Sequence, residues 1–450
     1  MHINYMLRIF EENKQNDAIV WNDKIYTYQW LLNRFKSWKE EIHSRNIPKG
    51  AITVIEGDYS PESIALFLAL ADSSCIIVPL TDSSEVQKEE FIKIAQGEYS
   101  FLIDEKDRVE IKRLPHSADH ELYTKLRHTK KVPGLVLFSS GSTGQSKASV
   151  HDLNLILKKF KTGGRLFRSI LFLLYDHIGG INTMLYNLFN AGCLLTVRAR
   201  TPDEILRTVE KYKAELLPTS PTFINLILLS EAYKKYDMSS LKMVSYGTEP
   251  MPESTLKRLH ELLPDVELRQ TYGLSEVGIL SSKSKSSNSL WVKIGGEGFA
   301  IRVVDNTLQI KSQSAMLGYL NAQSPFTEDG WFDTGDQVIT DGEYFKILGR
   351  KSEIINVGGE KVYPSEIESV IQDIDNVAQV TVYGRKNAIT GNIVCARISL
   401  LSPEDPSNFK LRLKMYCKSK LEPYKIPIKI KIVEEKQHTP RFKKNRNLNF

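Results

Sequence analysis

From residue 17 the chain alternates short apolar runs with longer amphipathic stretches: AIVW (18–21), a turn at Asn22–Asp23, IYTYQWLLNRFKSWKEEI (25–42), AITVIEG (51–57), SPESIALFLALA (60–71) and CIIVPL (75–80). Strand and helix in alternation require a layered α/β fold with a largely parallel sheet, because the crossover helices must bury their apolar faces on the sheet. The rhythm returns in GCLLTVRA (192–199), TPDEILRTVEKYKAELL (201–217) and LKMVSYGTEP (241–250). Near residue 281 it stops. SSKSKSSNSL (281–290) reads as a mobile polar loop, and WVKIGGEGFAIRVVDNTLQIKSQ (291–313) as short strands with a turn at Asp305–Asn306. The last hundred or so residues mix strands and helices and have the size of a small separate domain.

A chain of 450 residues needs more than one core. The expected organisation is a large N-terminal domain of layered α/β sheets over 1–349, including a β-rich subdomain at about 281–349. A junction at 350–352 leads to a small, mobile α+β domain over 353–450. Hydrophobic and charged contents of 41% and 25% are those of a globular protein. The net charge of +6 comes largely from the lysine-rich end, which suits a nucleic acid, an acidic membrane or a polyanionic small ligand. Cys75, Cys193, Cys395 and Cys417 have neither disulfide-framework nor zinc-site spacing. The N-terminus lacks the apolar core of a secretory signal, and the most apolar segment (63–80) is too interrupted to span a membrane. A cytoplasmic protein without membrane attachment is expected.

Five segments carry candidate chemistry. SSGSTGQSK (139–147) follows the apolar run GLVLF and has the small and hydroxyl residues of a phosphate cradle; a polar turn is the alternative. It lacks the Gly-Lys-Ser/Thr ending of a Walker loop. In QTYGLSEVG (270–278), Glu276 could hold a divalent cation, or Ser275 could cap a helix with Glu276 in its first turn. DGWFDTGD (329–336) offers Asp336 beside a turn. GRKSEIINVGGEKVYPSEIE (349–368) combines Arg350, two glycines and a helix start, and TPRFKKNR (439–446) is a basic tail.

In this order and spacing the five segments resemble the adenylate-forming superfamily of acyl- and aryl-CoA ligases, adenylation enzymes and beetle luciferases, over essentially the whole chain. The resemblance implies that Ser139, Ser140, Gly141, Ser142, Thr143, Gly144 and Lys147 wrap the β- and γ-phosphates of ATP, with Thr143 and Lys147 as the principal donors. Glu276 would hold Mg2+ and Ser275 would meet the α-phosphate. Tyr272, with Thr271 and Gly273, would lie against the adenine, opposite a wall formed by Gly247, Thr248, Glu249 and Pro250. Asp336 would take the ribose hydroxyls beside Arg350. Lys443, or its neighbour Lys444, would be the mobile catalytic lysine of the last domain, three residues before Arg446. The hinge falls at Ser352, and Gly358 and Gly359 would let a pantetheine arm pass.

By the same resemblance the acid lies near 173–185 with Tyr246. His177 would stand at its mouth, Gly179 and Gly180 would leave room for the acyl group, and Tyr175 would contribute a wall. Asp176 either pairs with a substrate ammonium or points away as a structural carboxylate, the preferred reading. The implied reaction is ATP-dependent formation of an acyl-adenylate, then transfer to the thiol of coenzyme A. Loading of a carrier protein's phosphopantetheine is the alternative. A non-catalytic nucleotide-binding or nucleic-acid-binding protein is a third reading; sparse aromatics in the tail disfavour nucleic acid. Monomer and homodimer both stay open. Four positions depart from the family pattern: Phe442 stands where glycine is usual, Ser352 where aspartate or lysine is common, and Ser146 and Ala148 replace proline and glycine.

Overall fold

The structure is a computed structural model that describes residues 2–81, 85–140, 146–434, 437–439 and 442–444, without the side chains of Glu85 and Ser140. Gly141, Ser142, Thr143, Gly144 and Arg446, and the side chain of Ser140, therefore lie outside the described residues.

Two seven-stranded sheets form the larger body. One runs in spatial order Glu267–Gln270, Met243–Tyr246, Leu216–Thr219, Arg168–Ile170, Cys193–Leu195, Asp17–Trp21, Lys24–Thr27; all pairings but the last are parallel. The other carries Ile52–Glu56, Ile76–Leu80, Tyr99–Ile103 and Gly134–Ser140 in parallel, with antiparallel strands outside them. Between the sheets runs the helix Pro61–Asp72, all of it buried except Glu62 and Asp72. That position explains its apolar sequence. It packs in one core with Ile19 and Leu194 from the first sheet and Ile55, Ile77 and Leu137 from the second. Its start is fixed by Pro61 and by a reciprocal Ser60–Ser63 cap. No helix among the described residues is long and apolar enough to cross a membrane.

Asn22–Asp23 and Asp305–Asn306 all have left-handed backbone (φ 47°, 64°, 48° and 61°), the geometry of a two-residue hairpin that these residue types tolerate. The first hairpin adds a strand, Lys24–Thr27, where the sequence pattern leads straight into a helix; Thr27 then caps the helix Tyr28–Ser44 by accepting from Trp30 N.

The serine-rich stretch after residue 281 is not a mobile loop. Ser281–Ser284 is a strand paired with Val292–Gly295 in a six-stranded antiparallel sheet that extends to Arg350. Its hydroxyls have a structural task. Ser287, Ser284 and Ser282 Oγ accept from the backbone N–H of Leu268, Gln270 and Tyr272, every second residue along the edge of the first sheet. A strand edge with unsatisfied donors is thereby closed by side chains.

The final unit has its own core, which includes Ile367, Val380, Val382, Ile398, Phe409 and Leu413. A long hairpin, Val377–Asn387 with Gly391–Leu400, carries helices Pro364–Gln372 and Pro406–Lys418. Glu368, 2% exposed, is held by Val382 N on one oxygen and by Lys444 Nζ on the other.

His151 makes acid stability testable. Its ring is 1% exposed, meets Ser149 Oγ at 3.1 Å, and burial pushes its pKa down to about 4. The depressed folded-state value leaves stability intact above the unfolded value near 6.5 and removes it progressively as pH falls toward 4, by about 3 kcal/mol. His151→Gln is expected to flatten that limb of a denaturant-midpoint profile between pH 7 and 4; an unchanged slope would remove His151 as its cause.

Candidate active site

The strands Gly134–Ser140 and Ser146–Asp152 pair antiparallel, with Ser139 opposite Lys147 and Ser140 opposite Ser146. They hold the two ends of the segment expected to cradle phosphate at the rim of the second sheet. Asn321 ties that rim down: its Oδ1 accepts from Ala148 N, and its Nδ2 donates to Ser146 O. The ammonium of Lys147 lies 5.3 Å from the ring centre of Tyr319, whose hydroxyl donates to Glu276 Oε1 at 2.6 Å. Lys147 and Glu276, 129 positions apart in sequence, thus meet through one tyrosine. The Glu276 carboxylate beside a buried ring drives the Tyr319 hydroxyl's pKa upward, after desolvation, the larger cause. Tyr319 is absent from the sequence motifs; the one local hint is its place in a two-residue strand paired to Ser149.

The segment QTYGLSEVG forms no capped helix. Gly273–Leu274 and Gly278–Ile279 make a small hairpin with half-buried Ser275 and Glu276 in its turn. Tyr272 is buried and its hydroxyl donates to Asp336 Oδ2 at 2.5 Å, while Arg350 Nε stands 3.4 Å from Asp336 Oδ1. Asp336 and Arg350 are opposed residues of one β-hairpin, so the register itself sets the pair. Burial raises the Asp336 pKa against the opposing pull of Arg350 and Tyr272.

The segment 247–250 passes close by. A Cβ on Gly247 would sit 2.6 Å from Thr271 Oγ1, so the close approach of the two loops needs glycine. Thr248 has φ 73°, an outlier for a β-branched residue and the kind of strain that collects at functional sites. Glu249 faces elsewhere: its carboxylate accepts from Thr222 N and from Lys444 N, bridging the larger body to the last domain.

His177, Thr248 and Lys443 line one narrow cleft with Phe172, Leu173 and Phe442. His177 begins the helix Ile178–Phe189, its Nδ1 accepting from Gly179 N at 3.0 Å. Of the two adjacent lysines, Lys443 enters this cleft, whereas Lys444 Nζ is 2.9 Å from Glu368. Phe442 packs against Phe172 and Phe223 with ring centres 5.4 and 5.0 Å away, and its carbonyl accepts from Ser220 Oγ.

Several acid-site expectations need correction. Gly180 leaves no room for an acyl group, because a Cβ there would lie 2.1 Å from Leu174 O and 2.5 Å from the Tyr59 hydroxyl; Gly179 is closed by Leu173 and His177. These glycines serve helix packing. Tyr175 is fully buried against Tyr59 and Phe67 and donates to Ser63 O, so it belongs to the core. Asp176 is 3% exposed and Tyr246 1%. Gly358 and Gly359 sit with φ 61° and 94° in the exposed turn joining Ile355–Val357 to Glu360–Val362. Ser352 is exposed in the turn Lys351–Glu353. Among the described residues no group of three or more His, Cys, Asp or Glu could hold a metal. Glu276 remains suitable for Mg2+, which is commonly bound by one or two carboxylates together with substrate phosphates.

A wider groove of about 500 Å³ between the Asn22–Asp23 turn and the helix Pro202–Tyr212 lacks such convergence. Its charges pair with each other, Lys211 with Asp23 at 2.8 Å and Arg207 with Glu204 at 2.6 Å.

A layered α/β body, a nucleotide-type site and a small domain delivering a lysine define an adenylate-forming type of chain. The chain belongs to the AMP-binding enzyme family: its family model matches residues 10–320, and the AMP-binding enzyme C-terminal domain matches 366–443. It is 33% identical over 253 residues to acyl-CoA synthetase 7 of Caenorhabditis elegans, covering 52% of this chain and 46% of that protein. It is 22% identical over 478 aligned positions to 2-succinylbenzoate–CoA ligase of Bacillus subtilis, covering 96% and 94%. The chain spans 46%, 65% and 64% of the first three curated relatives it matches. An anthranilate CoA ligase solved in complex with anthranoyl-AMP shares the fold at a TM-score of 0.82 and 17% identity, over 98% of this chain and 95% of that one.

Proposed function

We propose that the chain activates a carboxylic acid with ATP, releasing pyrophosphate, and passes the acyl group to coenzyme A. The observation that carries this reading is the cleft in which Lys443, from the last domain, meets His177 and Thr248. The names of several relatives, CoA ligases for indoleacetate and long-chain fatty acids among them, favour CoA over a carrier protein as acceptor.

In the proposed mechanism the acid's carboxylate oxygen bonds to the α-phosphorus while the bond to pyrophosphate breaks. The nucleophile is already ionised at neutral pH, so the protein supplies charge and alignment without a general base. Lys147 and the 139–147 loop hold the departing pyrophosphate, Thr143 among the donors. Asp336 and Arg350 fix the ribose, and Lys443 balances charge gathering between carboxylate and α-phosphate. Mg2+ on Glu276 would add charge neutralisation at the phosphates. The thiol then attacks the acyl carbon and AMP leaves. For this second step the last domain turns about residues 350–352, withdrawing Lys443 and presenting Gly358 and Gly359 to the pantetheine arm.

Exchange of labelled pyrophosphate into ATP, measured across a panel of carboxylic acids, tests the first step. Exchange with no acid would refute it. Adding CoA to an exchanging mixture should yield a thioester; a product only with a phosphopantetheinylated carrier protein would move the acceptor to the alternative.

A further inference from the structure

Tyr319 stands between the two charges that the proposed chemistry assigns to the phosphates and their metal, and that chemistry gives it no task. Its hydroxyl donates to Glu276 Oε1 at 2.6 Å, and the Lys147 ammonium sits over its ring, 5.3 Å from the centre. Opposite charges set against one side chain are within reach of each other. Yet among the described residues neither Lys147 nor Glu276 has an ion-pair partner, and the Glu276 carboxylate accepts from Tyr319 alone.

The backbone fixes the tyrosine from both sides. Gly318 and Tyr319 pair with Val150 and Ser149 of the strand Ser146–Asp152, which carries Lys147. Leu317 N donates to Val150 O at 2.7 Å and Leu320 N to Ala148 O at 2.9 Å, while Met316 N donates to Glu276 O at 2.8 Å. Asn321 closes the far end on Ala148 N and Ser146 O. Residues 316–321 therefore form a strap, fastened to the glutamate turn at its start and to the lysine strand along the rest. The buried ring cannot follow either charge.

Each charge stays available in this arrangement. The hydroxyl engages one carboxylate oxygen of Glu276 and leaves the other, and the ring face attracts the ammonium without using any of its three donors. A buried tyrosine that needed only an acceptor could take a backbone carbonyl, as Tyr28 and Tyr123 do on Gly192 O and Ala95 O.

We infer that Tyr319 is a positioning residue, a spacer that keeps Lys147 and Glu276 from neutralising each other so that both can serve the nucleotide. This deepens the adenylation reading and rests on it through the binding of ATP. Without the hydroxyl the carboxylate is free to swing to the lysine, and without the ring nothing separates the two. Lys147 is then spent on Glu276 and lost to the phosphates.

The test is ATP binding to the full chain, without acid and in Mg2+-free buffer, measured by titration calorimetry. Tyr319→Phe is expected to weaken ATP about tenfold, the scale of one hydrogen bond to a charged group, and Tyr319→Leu at least as much. Adding Glu276→Gln to either variant should restore affinity to within about twofold of the Glu276→Gln single variant, because no carboxylate remains to capture the lysine. A merely structural tyrosine gives no such rescue, so equal losses with and without Glu276→Gln overturn the inference. Parental affinity in Tyr319→Phe overturns it however Tyr319→Leu folds, and leaves the adenylation reading standing. A wild-type chain that binds no ATP, with or without Mg2+, overturns the adenylation reading and this inference together.

Discussion

Lys443→Ala is expected to lower pyrophosphate exchange by about a hundredfold or more, the scale of removing one preorganised charge donor from a transition state. The adjacent Lys444→Ala should keep exchange within about tenfold of the parent while lowering thermal stability, because removing one partner of a buried ion pair costs up to about 3 kcal/mol. The two lysines are chemically identical and adjacent, so only their surroundings separate them. Lys443 lines the cleft with His177 and Thr248. Lys444 is spent twice on structure: its Nζ is 2.9 Å from the 2%-exposed Glu368, and its backbone N–H donates to Glu249 Oε2 at 3.1 Å. Exchange, thermal melting and ATP binding measured on both variants decide between them. A reversed pattern, with Lys444→Ala catalytically dead and Lys443→Ala merely less stable, would reassign the reactive lysine.

That ambiguity shows where sequence reading runs out. Local physics was legible. Asn22–Asp23 and Asp305–Asn306 mark hairpins because few residue types accept positive φ at two successive positions. Pro364 in GRKSEIINVGGEKVYPSEIE marks a helix start because its fixed φ suits the first helical position, and the helix Pro364–Gln372 begins there. The order of the motifs indicated the family, and the α/β architecture follows from hydrophobic rhythm. What depends on residues far apart in the chain was not legible. The serines at 282, 284 and 287 look like loop composition, yet they satisfy donors 10, 14 and 19 positions away. Tyr319 carries no local signal, since its importance lies in Glu276 and Lys147 on either side of it. Gly179 and Gly180 suggested space for a ligand, but a missing Cβ can equally admit a neighbouring protein atom, here Leu174 O. Lys159 reads as one more lysine in LKKFK until the fold sets its ammonium against Asn182 Oδ1 and Ile279 O.

Phe442 supplies the second large effect, on the transition between the two half-reactions. Its backbone is left-handed, φ 52°, which costs a residue with a Cβ about 1–2 kcal/mol, and glycine would adopt it freely. A phenylalanine tolerates that cost where its ring recovers more. The ring meets Phe172 and Phe223 from the larger body and stacks on His438 at 5.3 Å. Partial burial of a phenylalanyl side chain contributes roughly 2 kcal/mol, and the aromatic pairs add about 0.5–1.5 kcal/mol. The side chain thus clamps the lysine loop to the body, holding Lys443 in the cleft at the expense of the domain turn proposed for thioester formation. Phe442→Ala keeps the backbone cost and removes the clamp, so adenylation measured by exchange should fall about tenfold to thirtyfold, matching 1.4–2 kcal/mol of lost docking. Phe442→Gly removes both and should fall less. Thioester formation from preformed acyl-adenylate and CoA, which does not require Lys443 in place, should be unchanged or faster in both. If Phe442→Ala leaves exchange at the parental rate, the ring is not what holds Lys443, and the Ser220 and Glu249 hydrogen bonds to the loop backbone carry the docking instead.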